Sequence, residues 1–313
     1  MSQSQPSPFF GDRFRASCRV LSIAALAAGA IPWSGPAHAD APRVELPTPE
    51  EVEAALPAGA SLTGREIWQR FLANRFRSAT AMLHITSVDP GGGAQETLLR
   101  VRWKDFRVEG EAVDSVIGKT WVRFEEPFDL RSFSYLGITR RGEPDLHFIY
   151  RERDDPTQES PLASRRVRRI RLDGVGILGT DYTFDQIAFH ALEDASYRRL
   201  PDEEVDGRPV YVVEARLADY MDTRYPTTRA YIGREHYVLI RQVFWDRAGV
   251  ERRELRANVE TLEEFDGGLW MATQSTMYDL KARTRSTLTI ESVAANPDLP
   301  DRLFTARSLM SHQ

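Results

Sequence analysis

"RELRANVET", residues 253–261, alternates apolar and polar side chains: Leu255, Ala257 and Val259 fall on one side, Glu254, Arg256, Asn258 and Glu260 on the other. A period of two marks a β-strand with one dry face and one wet face. The pattern recurs in both directions along the chain. "LLRVRW", residues 98–103, sets Leu99, Val101 and Trp103 against Arg100 and Arg102, and "PVYVVEARL", residues 209–217, sets Tyr211, Val213, Ala215 and Leu217 against Glu214 and Arg216. Turn signals separate such runs: Pro90 to Gly93, Asp206-Gly207, Ala248-Gly249 and Asp266 to Gly268. Strands at this spacing, joined by hairpins, predict a large antiparallel sheet. No β–helix–β alternation is present, which argues against a parallel doubly wound sheet.

The apolar face of that sheet must be covered by something, and helix is scarce. "TPEE" opens one short helix, with Thr48 as N-cap, Pro49 at the first helical position and Glu51 closing a capping box. "TGRE", Thr63 to Glu66, opens a second, whose apolar stripe comprises Ile67, Trp68, Phe71, Leu72 and Phe76. Two or three short helices cannot cover a sheet of this size. The expected solution is a sheet curled around its own apolar face, with the helices as a partial stopper over an apolar hollow.

The first 39 residues read as a secretory leader. Arg13, Arg15 and Arg19 precede the apolar run "VLSIAALAAGAI", residues 20–31, and Ala37-His38-Ala39 supplies small residues before a cut after Ala39. The run is too short to span a membrane. The lone Cys18 lies ahead of it and would leave with the leader, so the mature chain has neither disulfides nor a lipid-acceptor cysteine. The expected organisation is a leader (1–39), a Pro- and Ala-rich extension with a short helix (40–60) and one domain (61–313), exported to the periplasm and not integral to a membrane. The 41 basic residues against 46 acidic ones argue against a nucleic-acid binder.

Gly174, Gly176 and Gly179 match the dinucleotide-binding spacing G-x-G-x-x-G. A genuine fingerprint follows a buried strand and opens a long helix. Here the preceding residues are "RRVRRIR", and "TDYTF" after Gly179 is turn-like, so no cofactor is expected and the glycines read as loop. Five arginines in seven residues, Arg165, Arg166, Arg168, Arg169 and Arg171, read as a solvated strand edge or as a basic lip for phosphate headgroups or an acidic partner surface. His84, His147, His190, His236 and His312 never fall at metal-ligand spacing, and no G-x-S-x-G elbow occurs. Neither a metal site nor catalytic residues, and hence no enzyme, are expected.

Three segments together resemble the outer-membrane lipoprotein-sorting family, the LolA-like carriers, and most of all an uncharacterised exported branch of it. They are "WVRFEEPFDLRSFSYL" (121–136), "ASRRVRRIRLDGVGILGTDYTFDQI" (163–187), and the stretch from "VDGRPVYVVEA" (205–215) through "YIGREHYVLIRQVFWDRAGVERREL" to "DLPDRLFTARSL" (298–309). The charged insertion from Arg140 to Ser160 departs from the pattern. The resemblance implies a mainly β fold, an incomplete antiparallel β-barrel of about eleven strands with short helices as a lid. It also implies a carrier of lipid or lipoprotein acyl chains, working beside an inner-membrane transporter. No segment matches the carrier's docking residues closely enough to assign a particular exporter.

On this reading the cavity lining is Leu99, Val101, Trp103, Phe133, Tyr135, Tyr211, Val213, Leu255, Ala257 and Val259, each of which would serve equally well as ordinary core. The lid would be Trp68, Phe71 and Leu72 with Phe184 and Ile187. The competing reading is a sensor or adaptor module whose interior is packed and whose outer surface binds an envelope protein.

Overall fold

The alternation of the sequence becomes one thirteen-stranded antiparallel sheet in a computed structural model. The structure describes residues 61–310 except 108–114, 132, 152–166, 172–175, 185–191, 222 and 266. One meander comprises β1 (Ser78–Val88), β2 (Ala94–Asp105), β3 (Val116–Glu126), β4 (Phe133–Arg140), β5 (Leu146–Arg151) and β6 (Arg168–Ile170). A second comprises β7 (Ala195–Val205), β8 (Arg208–Leu217), β9 (Thr227–Gly233), β10 (Leu239–Trp245) and β11 (Glu251–Ala257). After a detached hairpin of β12 (Leu262–Phe265) and β13 (Leu269–Ala272), β14 (Gln274–Asp279) and β15 (Thr284–Ala295) join the two meanders: β14 pairs with β11 and β15 with β1. The sheet order runs from β6 to β7 and its ends do not pair, so among the described residues it is open. It has two more strands than the eleven or so expected.

Register carries one apolar row across the first meander: Ala81 lies opposite Val101, Val101 opposite Val122, Val122 opposite Tyr135 and Tyr135 opposite Ile149. The row continues in the second meander, where Val213 faces Ala230, and Gln242 sits between Ala230 and Leu255. Phe133 and Tyr135 of β4 belong to one buried cluster with Phe244 of β10 and Met277 of β14. Seven strand spacings separate β4 from β10, roughly 33 Å in a flat sheet. Sharing a core requires the sheet to bend, with this face concave.

The opposite face is not uniformly wet, contrary to the simple alternation. Leu299, Phe304 and Leu309 of the C-terminal segment cover Trp121, Leu136 and Tyr150. A second outer cluster joins Val210, Val212, Tyr231, Ile240 and Val243. Strands buried on both sides lose strict alternation, as β3 and β8 do.

Helix α1 (Gly64–Ala73) starts where its capping box predicts. The Thr63 hydroxyl accepts the Glu66 N–H at 3.1 Å, and the Glu66 carboxylate accepts the Thr63 N–H at 2.7 Å. Gly64 lies so close to β7 that a Cβ there would stand 2.9 Å from the Tyr197 carbonyl oxygen and the Arg199 nitrogen. That approach lets fully buried Ile67 pack with Tyr197, Val213, Ala230 and Ile232.

The glycine-spaced segment is not loose loop. Residues 176–184 fold back on themselves and insert into the concave face. Gly176 bridges Thr183, the Ile177 N–H donates to the Tyr182 carbonyl at 2.7 Å, and Gly179 takes φ +76°, which a side chain would strain. The Tyr182 hydroxyl donates to the Ser275 carbonyl at 3.1 Å, and the Ser286 hydroxyl donates to the Asp181 carboxylate at 2.8 Å. Ile177, Tyr182 and Phe184 are buried, and the Phe184 ring stacks on Tyr135 with centroids 4.0 Å apart. Phe184→Ala should therefore cost about 3–5 kcal/mol in urea unfolding, as core aromatics do. A loss below about 1 kcal/mol would be that of a peripheral loop.

Near the sheet's two ends the β4–β5 turn meets the approach to β7. Arg141 pairs with Glu193 at 3.7 Å, and the Asp145 carboxylate accepts the Arg140 N–H at 3.1 Å. Burial raises the Asp145 carboxyl to about 7, and the neighbouring Asp194 carboxylate adds to the rise. A folded-state pKa above the unfolded value means that the folded chain holds this proton longer. The contribution is fully present below about pH 4 and is lost as pH rises through about 7. Asp145→Asn should accordingly gain stability over the parent as pH rises from about 5 to 8, measured by denaturant titration. A pH-independent difference would contradict the assignment.

Candidate apolar binding cavity

Between α1, the 176–184 plug and the β12–β13 hairpin, the concave face is left open over a cavity of about 420 Å³. Small-molecule sites span roughly 300–1,000 Å³. The floor is the apolar row of the sheet: Leu83 and Ile85 from β1, Leu99, Val101 and Trp103 from β2, Leu255 and Ala257 from β11, and Leu288 from β15. Phe71 and Phe76 close one side, Ile177 of the plug another, and Leu269 to Ala272 of β13 a third.

Polar groups collect at one end. Asp105, the last residue of β2, is buried and accepts from Arg75 Nε at 2.7 Å and from Arg107 Nη2 at 2.6 Å. It also accepts the Arg107 N–H at 3.0 Å, while its own N–H donates to the Arg77 carbonyl at 2.7 Å. The cluster ties the end of β2 to the segment after α1. Along β2 the lining thus runs from a charged residue at Asp105 through Trp103 and Val101 to Leu99, about 20 Å at 3.3 Å per residue. The cavity is amphipathic along its length.

A second cavity of about 320 Å³ adjoins the first under α1, lined by Trp68, Leu72, Tyr197, Ala215, Tyr225 and Phe244 among others. On the same concave face, away from both, His147 is buried 2.9 Å from the Tyr135 hydroxyl, and burial with nearby Arg169 holds its pKa down at about 4. It is a neutral packing residue near pH 7.

The sequence-derived residues distribute as follows. Leu99, Val101, Trp103, Leu255 and Ala257 line the larger cavity. Phe133 and Tyr135 share its face but are buried beneath the plug, and Val213 is buried beneath α1. Tyr211 stacks on Tyr237 with centroids 5.9 Å apart, beside α1. Val259 leaves the strand altogether. β11 ends at Ala257, and the Asn258 side chain accepts the Glu260 N–H at 3.2 Å, capping a 3-10 turn over Val259–Thr261. This local cap competes with strand pairing and rotates Val259 to the outer cluster. Phe71 lines both cavities, Trp68 and Leu72 only the smaller one, and Phe184 is part of the plug. Arg168 and Arg169 are exposed on edge strand β6 and Arg171 just after it; Ile187, Arg165 and Arg166 lie outside the described residues.

The β12–β13 hairpin is the cover that sequence reasoning missed. "LEEFDGGLWMA" reads as two strands and a turn, but nothing in it says that the pair stands apart from the sheet. It is pinned by α1's C-cap residue: Asn74 Nδ2 donates to the Trp270 carbonyl at 2.7 Å, and the Trp270 N–H donates to Asn74 Oδ1 at 2.8 Å. His236 stacks on the Trp270 ring at 3.9 Å, and Phe76 meets Phe265 edge-on at 5.4 Å.

Residues 118–311 match the model of a family described as uncharacterized-protein-like. The chain belongs to that family, and its fold is LolA-like. No curated protein matches it. Three crystal structures share the fold. A domain assigned to the outer-membrane lipoprotein-sorting proteins, from Vibrio parahaemolyticus, is 20% identical over 79% of this chain and 98% of its own, with a TM-score of 0.67. A DUF1329 family protein from Desulfovibrio piger is 17% identical over 79% and 97%, with a TM-score of 0.68. A LolA superfamily protein from Nitrosomonas europaea is 18% identical over 78% and 98%, with a TM-score of 0.60. Among the described residues no helix is long and apolar enough to cross a membrane.

Asn74→Ala removes both hydrogen bonds to Trp270. The expected result is faster amide exchange confined to residues 262–272, corresponding to about 1–3 kcal/mol of lost protection. Unchanged protection there would mean that the ring contacts alone hold the hairpin.

Proposed function

We propose that this protein is a periplasmic carrier that takes an acyl chain of a lipid or lipoprotein into the larger cavity and moves it toward the outer membrane. The observation that carries the reading is the amphipathic 420 Å³ cavity, apolar along its floor and charged at the Asp105 end. A flexible hydrocarbon with a polar terminus matches that gradient. Burial is worth about 0.8 kcal/mol per CH₂, so a chain of roughly sixteen carbons gains on the order of 12 kcal/mol on leaving water. That is comparable with what it gains in a bilayer, so exchange is balanced rather than forced.

The open thirteen-stranded sheet acts as an incomplete barrel in this scheme, with α1 and the hairpin as its lid. The leader at residues 1–39 directs export with a cut after Ala39. The interior favours this reading over the packed adaptor, because the concave face retains space beside its covered parts.

Native mass spectrometry of protein isolated gently from the periplasm tests the proposal. A bound species releasing fatty acyl chains on extraction is expected. Val101→Trp, which fills the cavity floor, should reduce its occupancy at least tenfold, about 1.4 kcal/mol. Bare protein from an intact periplasmic preparation rejects the carrier.

A further inference from the structure

The geometry points to a two-chain lipid as the ligand, one acyl chain in each of the two cavities and its polar branch point beside Arg107. This rests on the carrier reading and narrows it. The two cavities are not separate features. Phe71, Arg107, Leu239, Leu255 and Ser275 stand in the walls of both, so the compartments adjoin beneath α1. Their floors lie side by side across the sheet: the larger rests on β1, β2, β3 and β15, the smaller on β7, β8, β9 and β10, and β11 and β14 contribute to both through Leu255 and Ser275.

Side-by-side troughs suit parallel chains. A single chain entering both would have to turn across the shared wall. There its apolar middle would pass the guanidinium of Arg107, which the buried Asp105 carboxylate fixes through contacts at 2.6 and 3.0 Å. Holding hydrocarbon against this ion pair excludes water from it and offers no acceptor in return. A branched lipid avoids the conflict, because its ester or phosphate oxygens occupy the point where the chains diverge. Such oxygens are acceptors, and a guanidinium is a donor-only group suited to them. The compartments also differ in character. The larger is mostly aliphatic, whereas Trp68, Tyr182, Tyr197, Tyr225 and Phe244 make the smaller one aromatic.

The test uses the full mature chain, delipidated, then offered either palmitate or vesicles of dipalmitoylphosphatidylglycerol, with the complex weighed by native mass spectrometry. One diacyl lipid per protein is expected. Ala215→Trp fills the smaller cavity from its floor. Leu217→Trp, at a half-buried position lining the same cavity, provides a second variant should the first fail to fold, as judged by circular dichroism. Either folded variant should lose diacyl lipid at least tenfold while keeping palmitate at the parent's level. Palmitate bound at one per protein with no diacyl lipid taken up overturns the two-chain assignment and leaves the carrier standing. Diacyl uptake undiminished by either folded variant also overturns it. Failure to bind either probe rejects the carrier itself.

Discussion

An open antiparallel sheet that bends must have its concave apolar face covered, and among the described residues little covers it. Thirteen strands present the face; one ten-residue helix, a nine-residue fold-back and a four-by-four-residue hairpin lie over it. Each cover is held by a few specific polar contacts: Arg199 of β7 donates to the Leu62 carbonyl just ahead of α1, Asp181 and Tyr182 fix the plug to β15 and β14, and Asn74 ties the hairpin to the end of α1. The space between them follows from that arithmetic. A sealed void of 420 Å³ would cost on the order of 10 kcal/mol by the scaling of core cavities, comparable with the entire stability of a domain. A fold keeps such a space where solvent or a guest can enter it.

Rigidity on the convex side keeps the floor from collapsing into the gap. The C-terminal segment clamps β3, β4 and β5 from outside through Leu299, Phe304 and Leu309, and a second cluster backs β8, β9 and β10. The floor of the smaller cavity on β8, β9 and β10 is thus packed from behind, and the floor strands of the larger one lie between the two backed regions of the sheet. The ion cluster on Asp105 fixes the end of β2 in the same way, because a buried carboxylate bonded to two guanidiniums is costly to pull apart.

What could be read in the sequence follows from how locally each feature is encoded. The strands, the α1 cap and the inward faces of β2 and β11 depend on neighbours one to four residues apart, and Leu99, Val101, Trp103, Leu255 and Ala257 line the cavity as their alternation implies. Val259 was misread because one side chain, Asn258, ended the strand two residues early. Partition of the remaining apolar residues between cavity and core was illegible for a different reason. Tyr135 and Val213 point inward just as Val101 does and all three are buried, and only the placement of the plug and of α1 decides that Val101 borders the cavity while the other two do not. The Arg75–Asp105–Arg107 cluster and the hairpin arise from contacts between distant segments, and alternation carries no record of those.

The three covers differ in how firmly they are held, and a carrier needs such a difference. The plug is knitted into the largest core cluster and hydrogen-bonded to two strands, while α1 buries Ile67 completely and abuts β7 backbone at Gly64. Among the described residues the hairpin has no strand partner in the main sheet. Beyond the bonds at its base and the packing of Leu262 against the outer cluster, it is tied by the paired contacts of Asn74 with Trp270 and by two ring contacts. Regions that open at low free energy are those with few buried contacts and few bonds to the core. Leu269 to Ala272 also form a cavity wall, so displacing the hairpin would enlarge the mouth while leaving the floor in place. In the proposed carrier, loading and release would then proceed through movement of the hairpin alone, with the amphipathic floor left in place.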